Sequence, residues 1–381
     1  MPGNRVGGIL AHAPAVWLGD RSYSLYLWHW PVLMFGFAWG LQGNVSATVG
    51  LLGLAVLLAI ASYRWVELPF WKGRFSRQTA LRSIVYAVSC IAVVGVSTTE
   101  LIALMHDEEQ RVAQFAREVR NDIPSIYVQG CDSWFRDSDL EPCAVGDASA
   151  ARTAVLIGDS VGVHWYSLLP AVFKSPDWRI VVLTKSACAM VDEDYVYPVA
   201  GGVYAVCTEW RNKALDYLDR LRPDVVFVGS ASTYEFNERQ WVEGSKRVLA
   251  RLAAGAGQVV LIAGTPMLSF DGPGCLERWM RDHGGAETPP ADLCSEPLQG
   301  KSSTIVTPWL ARAAAGFSNV TLLDLNDLVC PRGRCAARQV DGVVVFRDQR
   351  HLTDSFVRAR AGEFARRLDS LGLTDRIWAS R

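Results

Sequence analysis

The sequence predicts an α/β protein in which a doubly wound, mostly parallel sheet follows three membrane-crossing helices. Short runs of β-branched and aliphatic residues recur through the C-terminal part, separated by helix-length stretches, as parallel strands buried on both faces require. Near the N-terminus, 22–43, 45–63 and 83–99 contain no Asp, Glu, Lys or Arg. Each is close to the length of about twenty residues that a helix needs to cross a bilayer.

The N-terminal elements come first in order. Spans are expected at about 22–43, 45–65 and 83–105, so that residues 1–105 form a membrane segment in contact with the lipid bilayer. A secretory leader accounts poorly for this region, because the first span is long, aromatic and followed at once by a second. Lys72, Arg74, Arg77 and Arg82 lie between the second and third spans, against Glu67 alone, whereas Gln42-Gly43-Asn44 carries no charge. The positive-inside rule then places the 66–82 connection in the cytoplasm and everything from about His106 outside it. His29 is the ionisable side chain of the first span, and between Trp28 and Trp30 it reads as a packed, hydrogen-bonded helix residue. Residues 106–130 form a charged, helix-compatible linker that Asp122-Ile123-Pro124 ends.

Cysteine usage supports the same orientation. Of nine cysteines, Cys90 falls in the third span and the other eight all lie beyond it. An even set in the exported segment suggests disulfides in an oxidising compartment. Eight cysteines allow 105 connectivities, and closeness in sequence favours 131–143, 188–207, 275–294 and 330–335. No Cys-x-x-Cys or clustered Cys/His spacing points to zinc, and the net charge of −1 leaves no nucleic-acid footprint.

Residues 131–381 hold the sheet domain. Its strands are expected at Thr153–Ile157, Ile180–Leu183, Val225–Val228, Val259–Ile262 and Val320–Leu323. Helices are expected at Trp210–Arg222, Glu238–Ala254, Ile305–Gly316 and about Asp354–Gly372. Gly255-Ala256-Gly257 and Gly272-Pro273-Gly274 read as turns, and Ser269–Gly300 as a disulfide-tied insertion that shapes an acceptor site. Of the fourteen tryptophans, eight fall in this domain, among them Trp165, Trp210, Trp241 and Trp279. Buried core is the default for each. Trp165, five residues after Ser160, is the best candidate for stacking on a sugar.

The first strand runs straight into Gly158-Asp159-Ser160, and far downstream stands Asp348-Gln349-Arg350-His351. A strand, a tight turn and a helix start would leave the Ser160 hydroxyl at a helix N-terminus, where negative charge is favoured. Serine becomes a nucleophile when a base takes its proton, and a histidine base needs a carboxylate to fix its tautomer. Ser160, His351 and Asp348 are therefore the candidate catalytic residues.

Those two blocks, at the two ends of one α/β pattern, resemble the SGNH hydrolase superfamily from about residue 130 onward, which implies a flavodoxin-like sheet. The family's glycine and asparagine of the oxyanion hole correspond to Lys185-Ser186-Ala187-Cys188 and Gly229-Ser230-Ala231-Ser232, which do not match. Backbone N–H groups at Ser160 and near Ala187 are left to stabilise an oxyanion. Leu18-Gly19-Asp20-Arg21-Ser22-Tyr23-Ser24-Leu25-Tyr26-Leu27-Trp28-His29-Trp30-Pro31 with Tyr63-Arg64-Trp65-Val66-Glu67-Leu68-Pro69 resembles the end of the acyltransferase-3 family. Members fused to an SGNH domain O-acetylate bacterial surface glycans, including lipopolysaccharide O-antigens, at the inner membrane with the second domain in the periplasm.

The resemblance implies an O-acetyltransferase with an envelope glycan as acceptor, no cofactor in the SGNH domain, and an acetyl donor such as acetyl-CoA reached through the membrane half. The early spans of the acyltransferase-3 domain, which carry its donor-handling arginine and histidine, have no counterpart in these residues. A truncated product or a partner membrane half is the expectation. A carbohydrate esterase and an inactive glycan-binding or assembly domain are the alternatives.

Overall fold

A computed structural model describes residues 11–379 except 42, 72–78, 133, 284–289 and 291–292. Lys72, Arg74 and Arg77, on which the expected orientation rests, lie outside the described residues. The chain divides into two compact units, Met1–Ala103 and Leu104–Arg381.

In the first unit, α1 (Ala13–Gly36) continues as a π-helix through Leu41, and α2 (Val45–Ser62) is capped by the Asn44 side chain. The buried Ser24 hydroxyl of α1 donates to Glu67 beyond α2. His29 lies against its own helix, with Nδ1 2.9 Å from the Tyr26 carbonyl, as its sequence setting suggested. Next comes α3 (Ala80–Arg120), on which Leu81, Ile84, Val85, Val88, Ile91, Val93, Val94 and Val96 are all exposed. A helix apolar on every side with no protein cover is suited to lipid.

Among the described residues, two helices are long and apolar enough to cross a membrane, Val45–Trp71 and Leu81–Glu100. The expectation of three is corrected at the first. That segment is helical, but its helix starts early enough to include Asp20 and Arg21, and its Ser, Tyr, Trp and His residues dilute the apolar character that absence of charge had suggested. The charged stretch 106–120 is helical, as its sequence allows, and continues α3, which ends before Asp122-Ile123-Pro124.

The second unit is built on a six-stranded sheet of β1 (Cys143–Gly146), β2 (Arg152–Gly158), β3 (Trp178–Thr184), β4 (Val225–Gly229), β5 (Gln258–Ile262) and β6 (Val320–Leu323), in the order β1-β3-β2-β4-β5-β6. All neighbours are parallel except β1, which runs antiparallel to β3 along the edge. The five parallel strands have the flavodoxin-like order, and the chain reverses its direction of winding at β2. They fall within one or two residues of the expected runs.

Alternation along each strand fills two cores. Ala154, Leu156 and Phe227 face one layer with Phe173, Phe356, Phe364 and Leu368. Val155, Ile157, Val226 and Val228 face the other, against Trp210, Leu218, Trp241 and Leu252. The second layer consists of α4 (Ala205–Leu221), α5 (Glu238–Gly255) and α7 (Ser302–Ala314). Between the last two in sequence lies α6 (Gly272–Asp282), so Gly272-Pro273-Gly274 opens a helix rather than forming a free turn, with proline in its first turn where no donor is lost. The expected last helix is broken at Arg360 into α8 (Asp354–Ala359) and α9 (Ala361–Ser370).

All four sequential cysteine pairs are disulfides. Closing loops of 12 to 19 residues, the first three each remove about 3 kcal/mol of chain entropy from the unfolded state.

The close approach of β2, β4 and the turn after β2 permits no side chain at Gly158 or Gly162. A Cβ at either would lie 2.2 Å from the Gly229 carbonyl oxygen. Since the obstructing atom is backbone at the sheet centre, Gly162→Ala should cost about 3 kcal/mol. Urea unfolding should show the loss, together with impaired activity at the adjoining serine.

Candidate active site

The turn after β2 places Ser160 at the carboxyl edge of the sheet, at the point where the winding reverses and α/β folds form their crevices. Asp159 makes that turn. Its backbone is extended and its Oδ1 accepts from the N–H groups of Val161 and Gly162, each at 2.9 Å, capping the short helix Ser160–Val163. Its Oδ2 accepts from the Ala231 N–H at 2.9 Å and the Tyr234 hydroxyl at 2.6 Å. Burial pushes the Asp159 carboxyl up, against four donors that favour its ionised form. Burial likewise raises the Tyr234 phenol, reinforced by the neighbouring carboxylate, and so keeps it a donor.

Asp348 and His351 enter from the loop before α8. The spacing of Asp-x-x-His lets one carboxylate serve backbone and imidazole together. Asp348 Oδ1 accepts from the N–H groups of Arg350 at 2.7 Å and His351 at 2.8 Å, while Oδ2 lies 2.7 Å from His351 Nδ1. On its other side, His351 Nε2 lies 2.9 Å from Ser160 Oγ. The three candidates are thus joined by hydrogen bonds at distances suited to proton transfer. Burial alone would raise the Asp348 carboxyl, but the bonds from His351 and the turn hold it well below the usual carboxylate range. Its contribution to stability is therefore complete above the ordinary aspartate pKa and is lost as pH falls through the depressed native value. Behind the loop, buried His164 accepts the Leu352 N–H at 3.5 Å, and desolvation holds that imidazole in its neutral form.

The stretch Lys185-Ser186-Ala187-Cys188 follows β3. Ala187 has a left-handed backbone (φ 53°), which a residue with a Cβ adopts only under constraint. The constraints are visible on both sides. Ser186 donates its N–H to Asp132 Oδ1 at 2.9 Å and its hydroxyl to the other oxygen of that carboxylate. Cys188 is tied to Cys207, and the Ala187 carbonyl accepts from the Tyr195 hydroxyl. Among the described residues, the N–H groups of Ser160 and Ala187 have no protein acceptor. In the second mismatched stretch, the Ala231 N–H is committed to Asp159 and its side chain has no donor to offer.

Ser160, His351, Ala187 and Arg350 line a cleft of about 780 Å³, walled by Tyr195, Tyr197, Tyr234 and Phe236. Trp165 is not part of it. At 1% exposure it belongs to the core and, contrary to the expectation from its place after Ser160, offers no face to a sugar. Trp210 and Trp241 are also buried, as the default reading had it. The described residues of Ser269–Gly300 contribute nothing to the cleft wall. Among the described residues, no three His, Cys, Asp or Glu side chains gather as a metal site. Asp132, Tyr195 and Tyr234 were not singled out from the sequence. A tyrosine that braces a loop and one that fills a core leave the same trace there.

A serine hydrogen-bonded to a His–Asp pair at the switch point of a parallel sheet is the arrangement that serine-dependent acyl-group chemistry requires. The profile of the family described as "SGNH domain (fused to AT3 domains)" matches residues 130–366, and the chain belongs to that family. Among curated relatives, the O-acetyltransferase OatA of Staphylococcus aureus is 37% identical over 76 residues, covering 19% of this chain. The chain spans 13% of the length of that relative. Among solved structures, the periplasmic domain of a lipopolysaccharide acetyltransferase from Salmonella ser. Paratyphi A aligns over 63% of this chain and 87% of its own, with 14% identity and a TM-score of 0.45. The acetylxylan esterase Axe2 from Geobacillus stearothermophilus aligns over 59% of this chain and 95% of its own, with 10% identity and a TM-score of 0.35.

The four donors around Asp159 make a direct prediction. Asp159→Asn turns one acceptor oxygen into an NH₂ group facing a donor. Stability should fall by about 3 kcal/mol and turnover with it, as urea unfolding and an ester assay would show.

Proposed function

We propose that this chain is an O-acyltransferase that moves an acetyl group onto a hydroxyl of a bacterial envelope carbohydrate through an acyl-enzyme on Ser160. The observation that carries the reading is the continuous chain of hydrogen bonds from Ser160 through His351 to Asp348. Membership of a family whose SGNH domains are fused to AT3 domains supports acyl transfer, as does the O-acetyltransferase relative.

In the first half-reaction, Ser160 Oγ attacks the acetyl carbonyl carbon while His351 Nε2 takes its proton and Asp348 stabilises the imidazolium. The oxyanion that forms is met by the N–H groups of Ser160 and Ala187. The tetrahedral intermediate collapses, the donor group leaves with the proton from His351, and the acetyl ester remains on Ser160. In the second half-reaction a sugar hydroxyl gives its proton to His351 and attacks the ester carbonyl. Ser160 then leaves and recovers its proton.

The acyl group reaches Ser160 through an acyltransferase-3 membrane domain, and acetyl-CoA is the donor on the cytoplasmic side. The catalytic domain lies in the periplasm of an inner-membrane protein, a placement that the paired cysteines beyond α3 support. Acetylation of cell-surface glycan by this chain, in a host with no acyltransferase-3 membrane domain, would contradict that division of labour.

Ser160→Ala and His351→Ala should each lower turnover of 4-nitrophenyl acetate by roughly 10⁴-fold, and Asp348→Asn by about 10³-fold or more, without unfolding the chain. Full activity of Ser160→Ala would remove the nucleophile. With a sugar present, faster consumption of the ester accompanied by acetylated sugar is expected. Release of acetate alone would make the enzyme an esterase.

A further inference from the structure

Beside the active-site cleft lies a second groove of about 580 Å³, lined by Asp132, Trp134, Phe135, Arg136, Asp137, Asp139 and Glu141. All seven belong to the loop that the Cys131–Cys143 disulfide closes. Phe135 lines both spaces, so the groove continues the cleft that holds Ser160. The rings form a track: Tyr197 of the cleft stands 6.3 Å from Phe135 and Phe135 6.3 Å from Trp134, both edge-on.

Trp134 is 56% exposed, and its backbone is left-handed (φ 45°). Leaving an indole in water forgoes burial, and a non-glycine residue in that conformation is strained. The loop nevertheless imposes both. Buried Asp132 accepts the Trp134 N–H at 2.9 Å, Lys185 Nζ donates to the Asp137 carbonyl at 2.5 Å, and the disulfide fixes the ends. Asp132 is also the carboxylate that anchors Ser186 beside Ala187. One group therefore presents the indole and braces the loop at the active site.

We infer that this groove is a subsite for a second sugar unit of the acceptor, with Trp134 as its stacking platform, so that the acceptor is an oligosaccharide rather than a single sugar. The inference rests on the acyl-transfer reading above. A pyranose offers an apolar C–H face to an aromatic ring and a rim of hydroxyls to carboxylate and guanidinium groups, and this groove supplies both. Among the lining residues the four carboxylates Asp132, Asp137, Asp139 and Glu141 outnumber the one guanidinium of Arg136, with Lys213 paired to Asp139, a balance that favours a neutral sugar over an acidic one.

Binding is measured by calorimetry on the full chain in detergent, carrying Ser160→Ala so that no turnover intervenes. The probes are chitotetraose and cellotetraose with their monosaccharides. At least one tetramer should bind about tenfold or more tightly than its monomer. Trp134→Ala should remove most of that advantage and Trp134→Tyr, which keeps a stacking face, should retain it. Tetramers that bind no better than monomers, or an advantage that survives Trp134→Ala, overturn the subsite. Acetyl transfer from 4-nitrophenyl acetate to the same sugars by the chain with Ser160 intact is scored separately. Tetramer binding that depends on Trp134, with no transfer, overturns the acyltransferase reading and leaves the subsite standing. Transfer with binding indifferent to Trp134 does the reverse.

Discussion

The Asp159 carboxylate accepts two N–H groups from the turn that carries Ser160 and two donors from the segment after β4, so one buried group joins the two strand ends between which the crevice opens. The glycine contacts make that junction possible, since β2 and its turn meet β4 backbone to backbone at Gly158, Gly162 and Gly229. Everything else at the site is placed relative to this junction. His351 meets Ser160 because the turn holds the hydroxyl toward the cleft, and Asp348 meets His351 because its own turn closes on the same carboxylate.

The stretch after β3 that the proposed oxyanion role invokes is organised by constraint rather than by residue type. Neither the glycine nor the asparagine that the SGNH resemblance implies is matched, and Ala187 lies in that stretch. The alanine is nevertheless held in the left-handed conformation that glycine adopts freely. Asp132, Tyr195 and the Cys188–Cys207 disulfide supply the restraint. A backbone donor fixed in advance needs no reorganisation when charge develops, which is the property that makes such groups effective.

Much of this was legible in the chain. The five parallel strands stood out because a strand buried on both faces must be a continuous apolar run, and Val225–Val228 or Val259–Ile262 has no other economical reading. Ser160, Asp348 and His351 were legible because their chemistry dictates local spacing. The disulfides followed from proximity in sequence. What stayed hidden depends on distant pairings. The edge strand Cys143–Gly146 alternates half-buried and exposed residues beside an acidic loop, and its apolar run Cys143-Ala144-Val145 is too short to stand out. Tyr234 reaches Asp159 across 75 positions, and Asp132 reaches Ser186 across 54. Trp165 misled because nearness to Ser160 in sequence is not nearness in the cleft: the turn that exposes the serine hydroxyl carries the indole into the core. The first membrane segment misled in a different way, for lack of charge is not the same as hydrophobicity when tyrosine, tryptophan and serine fill the positions.

The central claim is that acetyl resides on Ser160 between donor and acceptor. Peptide mass spectrometry on the full chain, acid-quenched within the first turnovers of 4-nitrophenyl acetate, tests it most directly. The account predicts an acetyl ester on Ser160, absent in Ser160→Ala and discharged when an acceptor sugar is added before the quench. An acetyl group found on another residue, or steady turnover with Ser160 never modified under conditions that trap the intermediate, would contradict it.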